Sequence, residues 1–172
     1  MTETRDTLLS RWRRFHQRPA EERAVILRAT ILLPLTGAGL RVFGFRRWKE
    51  WIERFSSLSR GVTPIEHAAQ LEIAARAARA VRSVELHGPA TPNCLERSMT
   101  LWWLLRRDGV EAELHVGARK ISAQLEAHAW VEFGGKVLND SAEIDKHYSR
   151  FDAPIVAAEQ ATSRAGAALK AD

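Results

Sequence analysis

The 172-residue sequence predicts an α+β protein in which the helices come first and the strands follow. Apolar residues recur at helical spacing through roughly the first two thirds of the chain, and strand-like alternation begins only near Val110. No strand–helix–strand repeat appears, which argues against a parallel sheet. The length suits one domain, or one domain plus a small helical addition, and is enough to bury a core without disulfides or metal.

The first 60 residues predict a basic helical lead-in. Leu8, Leu9, Trp12 and Phe15 lie on one side of a short amphipathic helix. We expect three helices here: residues 6–16, a second that begins after Pro19 and ends around residues 34–39, and a third over residues 45–55.

The excess positive charge belongs to this lead-in. Residues 1–60 carry 13 Lys/Arg against 6 Asp/Glu, whereas residues 61–172 carry 13 against 15. A basic arm suits an acidic partner, nucleic acid or an anionic membrane, and equally a solvated helix face. Because no nucleic-acid motif accompanies it, we expect no nucleic-acid partner. Trp12, Trp48 and Trp51 either form a docking surface for a partner protein or pack the helices on the rest of the chain.

Targeting and membrane signals are weak. Residues 29–40 form an apolar run too short to span a bilayer, and Pro34 interrupts it, so contact with a membrane surface is a secondary expectation. The N-terminus lacks the layout of a signal peptide. The single cysteine excludes a disulfide framework or a Cys-rich zinc finger and fits a reducing compartment. We therefore expect a cytoplasmic protein.

A linker-like composition near residue 60 places a boundary there, and residues 61–150 predict the core domain. Thr63, Pro64 and Glu66 predict a capping box that starts a helix running to about Val84.

The rest of the core predicts one more helix and three strands. The helix covers about residues 94–107 and ends at Asp108-Gly109. The strands are expected over residues 110–117, 127–133 and 136–139, with residues 119–126 as a connection. The Ala-rich residues 151–172 predict a frayed helix or a disordered tail.

Three residues suggest nucleophilic catalysis. Cys94 opens a predicted helix, and a thiol there lies at the positive end of the helix dipole, which favours the nucleophilic thiolate. His128, on a predicted strand, is a natural base for such a nucleophile. Asp140, after the next strand, can hold the imidazole in one tautomer. Each alone also fits a structural role, as a buried thiol, a backbone-bonded histidine or a loop acid.

The hairpin between His128 and Asp140 decides whether these two side chains can meet. A simple two-residue turn at Gly134-Gly135 sets a register that puts them on opposite faces of the sheet. A three-residue loop places them directly opposite each other. The triad thus requires the longer loop, or an Asp140 that lies beyond the last regular pair.

At these residues the chain resembles the transglutaminase-like leader peptidase of lasso-peptide biosynthesis, the peptidase part of the B protein. The similarity rests on Cys-Leu-Glu-Arg-Ser at 94–98, His-Ala-Trp-Val-Glu at 128–132 and Val-Leu-Asn-Asp at 137–140. It covers roughly residues 62–150. It implies a papain/transglutaminase-like core preceded by an N-terminal helical region.

The resemblance implies a cysteine peptidase that removes the leader from a ribosomally made precursor peptide, without a cofactor. Cys94 would attack the scissile carbonyl, His128 would move the proton and Asp140 would orient His128. Many members of the family work with a separate leader-recognition protein, and a lasso cyclase then closes the freed N-terminus. Because the lead-in shows no winged-helix recognition domain, we expect this split form.

Four further residues are candidates for substrate binding or support: Asn93, Arg97, Trp130 and Glu132. Asn93 is a weak oxyanion candidate. Arg97, one turn after Cys94, is expected to steer substrate, to help keep the thiolate, or to bond a carboxylate such as Glu132. Trp130 shields the triad from water or is part of the core.

Three alternatives stay open at this point. His115 could join the triad residues as a metal site, although a cysteine at a helix start favours a nucleophile, so we expect no metal. The same triad also suits acyl transfer to an amine, as in transglutaminases. A non-catalytic interaction protein that retains the fold is the third.

Overall fold

The computed structural model describes residue 13 and residues 15–56, 66–88, 91–121 and 124–151. Three long helices come first and a small sheet follows, which confirms the predicted α+β class. The elements are α1 (Ala20–Ser56), α2 (His67–His87), α3 (Cys94–Arg107), β1 (Glu113–Ile121), β2 (Gln124–Phe133), β3 (Lys136–Val137), α4 (Ile144–His147) and β4 (Ser149–Arg150).

The lead-in differs from the expectation of separate second and third helices. Helix α1 runs on through Pro34 and bends only at Gly44, whose φ of 75° and ψ of 170° are not helical. The ring of Trp48 lies so close to Gly39 that an added Cβ would be 2.3 Å from it. Nine residues of straight helix span about 13.5 Å, so the bend at Gly44 is what allows this contact. The predicted helix over residues 6–16 lies largely outside the described residues.

Pro34 does not end α1 because the residues around it are buried. Ala29, Leu32 and Leu33 belong to the main hydrophobic core, and burial of such side chains contributes about 1.5–3 kcal/mol for each large one. That gain offsets the hydrogen bond that proline removes from the helix. The expected end of the helix near Pro34 did not take this gain into account, because burial is not visible in the sequence.

One core joins the lead-in to the predicted core domain. Buried residues of all three long helices and of β2 form a single cluster. Ile52 of α1, Val81 of α2, Leu101 of α3 and Val131 of β2 are among its members. The predicted boundary at residue 60 itself lies outside the described residues, as does the tail from residue 152 onward.

The predicted start of α2 is wrong. The helix begins at His67, and Glu66 is its N-cap rather than a residue of its first turn. The Glu66 side chain makes no cap hydrogen bond at this N-cap position, and the other half of the expected capping box would come from Thr63. Thr63 lies outside the described residues. Helix α3, by contrast, has the predicted bounds.

The sheet is antiparallel, in the order β3-β2-β1-β4. Strands β1 and β2 are longer than predicted, because residues expected to form a connection continue the ladder as far as the pair Ile121–Gln124. The oppositely charged Arg119 and Glu126 face each other there, and Arg119 Nε donates to Glu126 Oε2 at 3.0 Å. Such cross-strand pairs stabilise a ladder that lacks apolar alternation. The predicted third strand shortens to Lys136–Val137.

Strand β2 divides the structure into two sides. Ala129, Val131 and Phe133 are buried, and the last two belong to the core formed by the helices. Trp130, on the opposite face, packs with Ile144 and Tyr148 of the short C-terminal segment. This alternation follows from the two-residue period of a strand.

Helix α1 is the one helix among the described residues that is long and apolar enough to cross a membrane. Its most apolar 18-residue window has a mean hydropathy of 1.5, and 39% of that window is buried inside the fold. A core helix meets the same criterion, so this observation is weak evidence for a membrane span.

Candidate functional site

The start of α3 is fixed by a complete capping box. Asn93 Oδ1 accepts a hydrogen bond from the Glu96 N–H at 2.9 Å, and Glu96 Oε2 accepts one from the Asn93 N–H at 3.1 Å. Cys94 is the first residue of the helix, and its side chain is partly exposed. Within the described residues, the N–H groups of Cys94 and Leu95 have no acceptor. The thiol thus lies beside unpaired donors at the positive end of the helix.

Glu96 ties this helix start to α1. Its carboxylate is nearly buried and accepts from Arg41 Nη2 at 3.3 Å. An added Cβ at Gly37 would lie 3.0 Å from Glu96 Oε1, so the glycine leaves room for the acid. Sequence reasoning missed Glu96, although the Asn-x-x-Glu spacing is the signal for such a box.

His128 and Asp140 are joined directly. His128 Nε2 lies 2.7 Å from Asp140 Oδ2. An ionised carboxylate only accepts, so Nε2 carries the proton and Nδ1 is the nitrogen left to act as a base. The other oxygen of Asp140 accepts from the Ser141 N–H at 2.7 Å. Two donors therefore hold this carboxylate.

The hairpin meets the second of the two conditions set by the sequence. The turn has two residues, Gly134 and Gly135, both with positive φ (56° and 74°), and Glu132 pairs with Val137. This register is typical of a tight primed turn and excludes the three-residue loop. Asp140 reaches His128 because it lies beyond the last regular pair.

Asn139 is the residue that ends the ladder. The Leu138 N–H still donates to the Val131 carbonyl at 2.9 Å. The Val131 N–H, however, donates to the Asn139 side chain Oδ1 at 2.8 Å. A side chain thus replaces a backbone acceptor, and the chain leaves the sheet just before Asp140.

Ser98 connects α3, β2 and this strand end. Its hydroxyl donates to the Ala129 carbonyl at 2.8 Å and accepts from Asn139 Nδ2 at 2.8 Å. Cys94 lies one helical turn before Ser98 and so shares its face of α3. The two hydrogen bonds therefore place the first turns of α3 beside the strand that carries His128.

Cys94 and His128, both described, are not joined by a hydrogen bond. Catalytic hydrogen bonds are often long in the absence of substrate and tighten when it binds. The structure thus brings His128 and Asp140 into contact and sets Cys94 on the helix packed against the histidine strand. Ser98 and Asn139, which hold this arrangement together, escaped the sequence reasoning even though both lie inside the motifs that it used.

Aromatic rings pack around His128. The ring of Trp130 is fully buried and stacks with that of His128 at 6.4 Å between centroids. The ring of Tyr148 lies 5.1 Å from His128. Trp130 is therefore a buried core residue that also packs against the site. Its Nε1 donates to Glu132 Oε1 at 2.8 Å, and Arg150 Nη2 donates to the same oxygen at 2.8 Å.

Tyr148 is held by a charged pair. Its hydroxyl donates to Glu126 Oε1 at 3.0 Å, and the Arg119 guanidinium lies 4.7 Å from its ring centroid. Hydrogen bonds from Arg119 and Tyr148 lower the pKa of Glu126 below 4.5. Burial, and then the bond to Glu126, raises the pKa of Tyr148 above 10. The tyrosine therefore stays protonated at neutral pH and keeps its hydrogen bond.

Arg97 does not reach Glu132. Its Nη1 donates instead to Glu85 Oε1 of α2 at 2.6 Å. Its Nε is buried and has no hydrogen-bond partner among the described residues. The expected bond to a carboxylate is present, but with another residue.

His115 forms its ion pairs with residues outside the triad. Its Nε2 is 3.1 Å from Glu113 Oε2 and 3.5 Å from Glu132 Oε2, and its ring stacks on Trp130 at 5.7 Å. No group of three His, Cys, Asp or Glu side chains within the described ranges is arranged to hold a metal ion.

The two described tryptophans of the lead-in both contact Trp103 of α3. Trp48 is buried, and its ring meets that of Trp103 edge to face at 5.9 Å, so it packs α1 on α3. Trp51 also touches Trp103 but remains 39% exposed. Trp12 lies outside the described residues.

Comparison with known proteins identifies the family. A model of the transglutaminase-like superfamily matches residues 39–152, which is most of the chain and includes Cys94, His128 and Asp140. No curated protein and no solved structure matches the chain. The match starts within α1, so the family's region includes part of the helical lead-in. This chain belongs to the transglutaminase-like superfamily, whose members include cysteine peptidases and acyltransferases.

Proposed function

We propose that this protein is a cytoplasmic cysteine peptidase that removes the leader from a ribosomally made lasso-peptide precursor. The observation that carries the chemistry is the 2.7 Å hydrogen bond between His128 and Asp140, on the strand against which the Cys94 helix packs. The choice of substrate rests on the resemblance of the motifs at 94–98, 128–132 and 137–140 to the lasso leader peptidases.

The proposed reaction uses each residue of the triad at a defined atom. His128 Nδ1 takes the thiol proton as Cys94 Sγ attacks the scissile carbonyl. His128 then gives the proton to the leaving amine, and the leader remains attached to Cys94 as a thioester. Water, activated by the same nitrogen, releases the leader and regenerates the thiol. Asp140 keeps the proton on Nε2 throughout and stabilises the imidazolium.

The start of α3 supplies the oxyanion site in this proposal. The N–H groups of Cys94 and Leu95 have no acceptor in the described part of the chain and lie next to the nucleophile. Backbone donors of this kind stabilise the charge that develops on the carbonyl oxygen. Asn93 uses its amide oxygen for the cap, so only its Nδ2 could add a donor.

We further propose that a separate leader-recognition protein docks on α1. Leu27, Ile31 and Leu35, spaced by four residues, are all exposed. Residues four apart share one face of a helix, so these three form an apolar stripe. Such a stripe on a basic helix suits a protein partner that delivers the precursor. A lasso cyclase would then consume the shortened peptide.

The test is cleavage of a lasso precursor in the presence of its recognition protein, followed by mass spectrometry. We expect two fragments whose masses add up to the precursor plus one water, and no cleavage by the Cys94→Ala variant. Lys120→Gln, at an exposed site on β1 away from α1, serves as the matched control and should cleave normally. A product joined to an added amine would indicate acyl transfer instead. Cleavage that survives Cys94→Ala would overturn the mechanism.

A further inference from the structure

A groove lies between α2 and the end of the β2–β3 hairpin, beside the proposed site. It has a volume of about 770 Å³, and Asp140, Ser141 and Arg97 are among its lining residues. Arg97 follows Cys94 by three residues, so it shares that face of α3. A peptide lying in this groove would therefore pass the acid partner of His128 and the helix turn that carries the nucleophile.

The charges along the groove do not balance. Four cations line it, Arg79, Arg82, Arg97 and Lys136, against two carboxylates, Glu85 and Asp140. Both carboxylates are already engaged, Glu85 by Arg97 and Asp140 by His128. The other three cations, on α2 and β3, form no ion pair or hydrogen bond with any residue that the structure describes.

A buried donor in the same wall also lacks an acceptor. Arg97 Nη1 is satisfied by Glu85, but Arg97 Nε has no partner among the described residues. An unpaired buried donor costs free energy that a bound acceptor can recover. Between the cations, Leu71, Ala75 and Ala78 of α2 provide a low apolar floor. The small alanine side chains leave room for an extended backbone.

We propose that this groove binds an acidic segment of the peptide substrate, with its Asp or Glu side chains on Arg79, Arg82 and Lys136. The proposal rests on the peptidase function proposed above and adds a substrate class to it. Unpaired cations flanking an apolar floor favour a carboxylate-bearing chain over a neutral one. The uncompensated charge would also raise the rate at which such a peptide associates.

The test is a direct binding measurement with the full-length Cys94→Ala protein, which holds a peptide without cleaving it. The probes are two fluorescein-labelled peptides of equal length, one with three Glu residues and the other with Gln at the same positions. We expect the acidic probe to bind at least about tenfold more tightly at about 0.1 M salt, given three exposed charge pairs of modest strength.

Variants then locate this preference. The combined Arg79→Gln, Arg82→Gln and Lys136→Gln changes should reduce binding of the acidic probe by about tenfold and leave the Gln probe unchanged. Arg47→Gln removes one exposed cation outside the groove and should bind both probes as the parent does. All four changed side chains are exposed, so the variants should keep the parent melting temperature.

Three results would overturn the proposal: equal binding of the two probes, a preference that survives the triple change, or a labelled single-stranded oligonucleotide that binds as tightly and depends on the same cations. The last would assign the groove to phosphate. Failure of the proposed function would look different. The acidic probe would bind as expected, while the parent protein with Cys94 intact would cleave no precursor.

Discussion

The two faces of β2 differ in chemistry although they alternate along one strand. On the helical side, Val131 and Phe133 join an apolar core shared with all three long helices. On the other side, the rings of His128, Trp130 and Tyr148 pack together, and their polar atoms bond to carboxylates. The first face contributes stability through burial, and the second holds the histidine to which we assign the proton transfer of the proposed reaction.

Hydrogen bonds link α3 to β2 and to the strand end that precedes Asp140. Ser98 and Asn139 form the connection, since both bond to β2 backbone groups and to each other. They fix the distance between the α3 start and the strand end that carries Asp140. A change on one face should therefore leave the other largely intact, except at these two residues.

The largest expected contrast is between His128→Ala and Val131→Ala. The histidine change should lower kcat/KM for precursor cleavage by about 10³-fold or more and leave the melting temperature nearly unchanged. The valine change opens a cavity and should cost roughly 2 kcal/mol of stability while the folded protein keeps its kcat. Thermal denaturation and cleavage kinetics on both variants check this. Equal losses of activity in both would break the separation of the two faces.

Asp140→Asn should lower kcat by about 10²- to 10⁴-fold but leave measurable cleavage, because Asn cannot enforce the tautomer in which Nδ1 is free. KM should change less than kcat, since the cations proposed to hold the peptide are unchanged. Ser141→Ala, which keeps the backbone N–H that donates to Asp140, is the matched control. A kcat equal to that of the parent would remove Asp140 from the mechanism.

Asn139→Ala tests whether Asn139 positions the segment that carries Asp140. It leaves the Val131 N–H without its acceptor, which should cost about 1–3 kcal/mol of stability. It also frees the segment that holds Asp140, so we expect kcat to fall by about tenfold or more, in line with the cost of a small misplacement of a catalytic group. Ser98→Ala, which leaves the Val131–Asn139 bond in place, should lose comparable stability but less activity. The reverse order would contradict the assignment of Asn139 as the positioning residue.

The smallest expected effect concerns the pair that holds Tyr148. Because the pKa of Glu126 is lowered in the folded state, its stabilising contribution is present above pH 4.5 and is lost as the pH falls below that value. The melting temperature of Glu126→Gln should therefore lie below that of the parent at pH 7, and the gap should close towards pH 3. Glu50→Gln, in an exposed pair on α1, gives the baseline. A constant gap across this range would contradict the role of the Glu126 carboxylate.

The raised pKa of Tyr148 predicts how stability changes at alkaline pH. Its contribution is present below pH 10 and is lost as the pH rises beyond that value. Tyr148→Phe keeps the ring beside His128 but removes the hydroxyl, so the stability loss on raising the pH above 10 should be smaller in this variant. If the variant and the parent lose the same stability above pH 10, Tyr148 does not cause that loss.

Much of the candidate site followed from local sequence signals. The Asp108-Gly109 stop marked the end of α3, and it acts within a few residues of where it stands. The glycine pair defined the turn, and the triad residues were named from their types and spacing. These signals are local, so they can be recognised without knowing how the helices and strands pack.

The remainder depended on contacts between distant parts of the chain. Continuation of α1 through Pro34 depends on burial against α2 and α3, and the bend at Gly44 allows a contact between Gly39 and Trp48. The Val131 N–H bonds to the Asn139 side chain instead of a backbone carbonyl, and hydrophobic periodicity does not predict such a bond. The bond of Arg97 to Glu85 rather than Glu132 follows from how α2 packs on α3. None of these can be read from spacing alone.

The most direct test of the central claim is the rate at which iodoacetamide alkylates Cys94 at about pH 6 and about pH 9, read by intact mass. The chain has one thiol, so the label reports this residue alone. We predict rapid labelling already at the lower pH, slowed by His128→Ala but not by Val131→Ala, as expected for a thiolate paired with imidazolium. Labelling that is slow at the lower pH and unaffected by His128→Ala would contradict a Cys94–His128 catalytic pair.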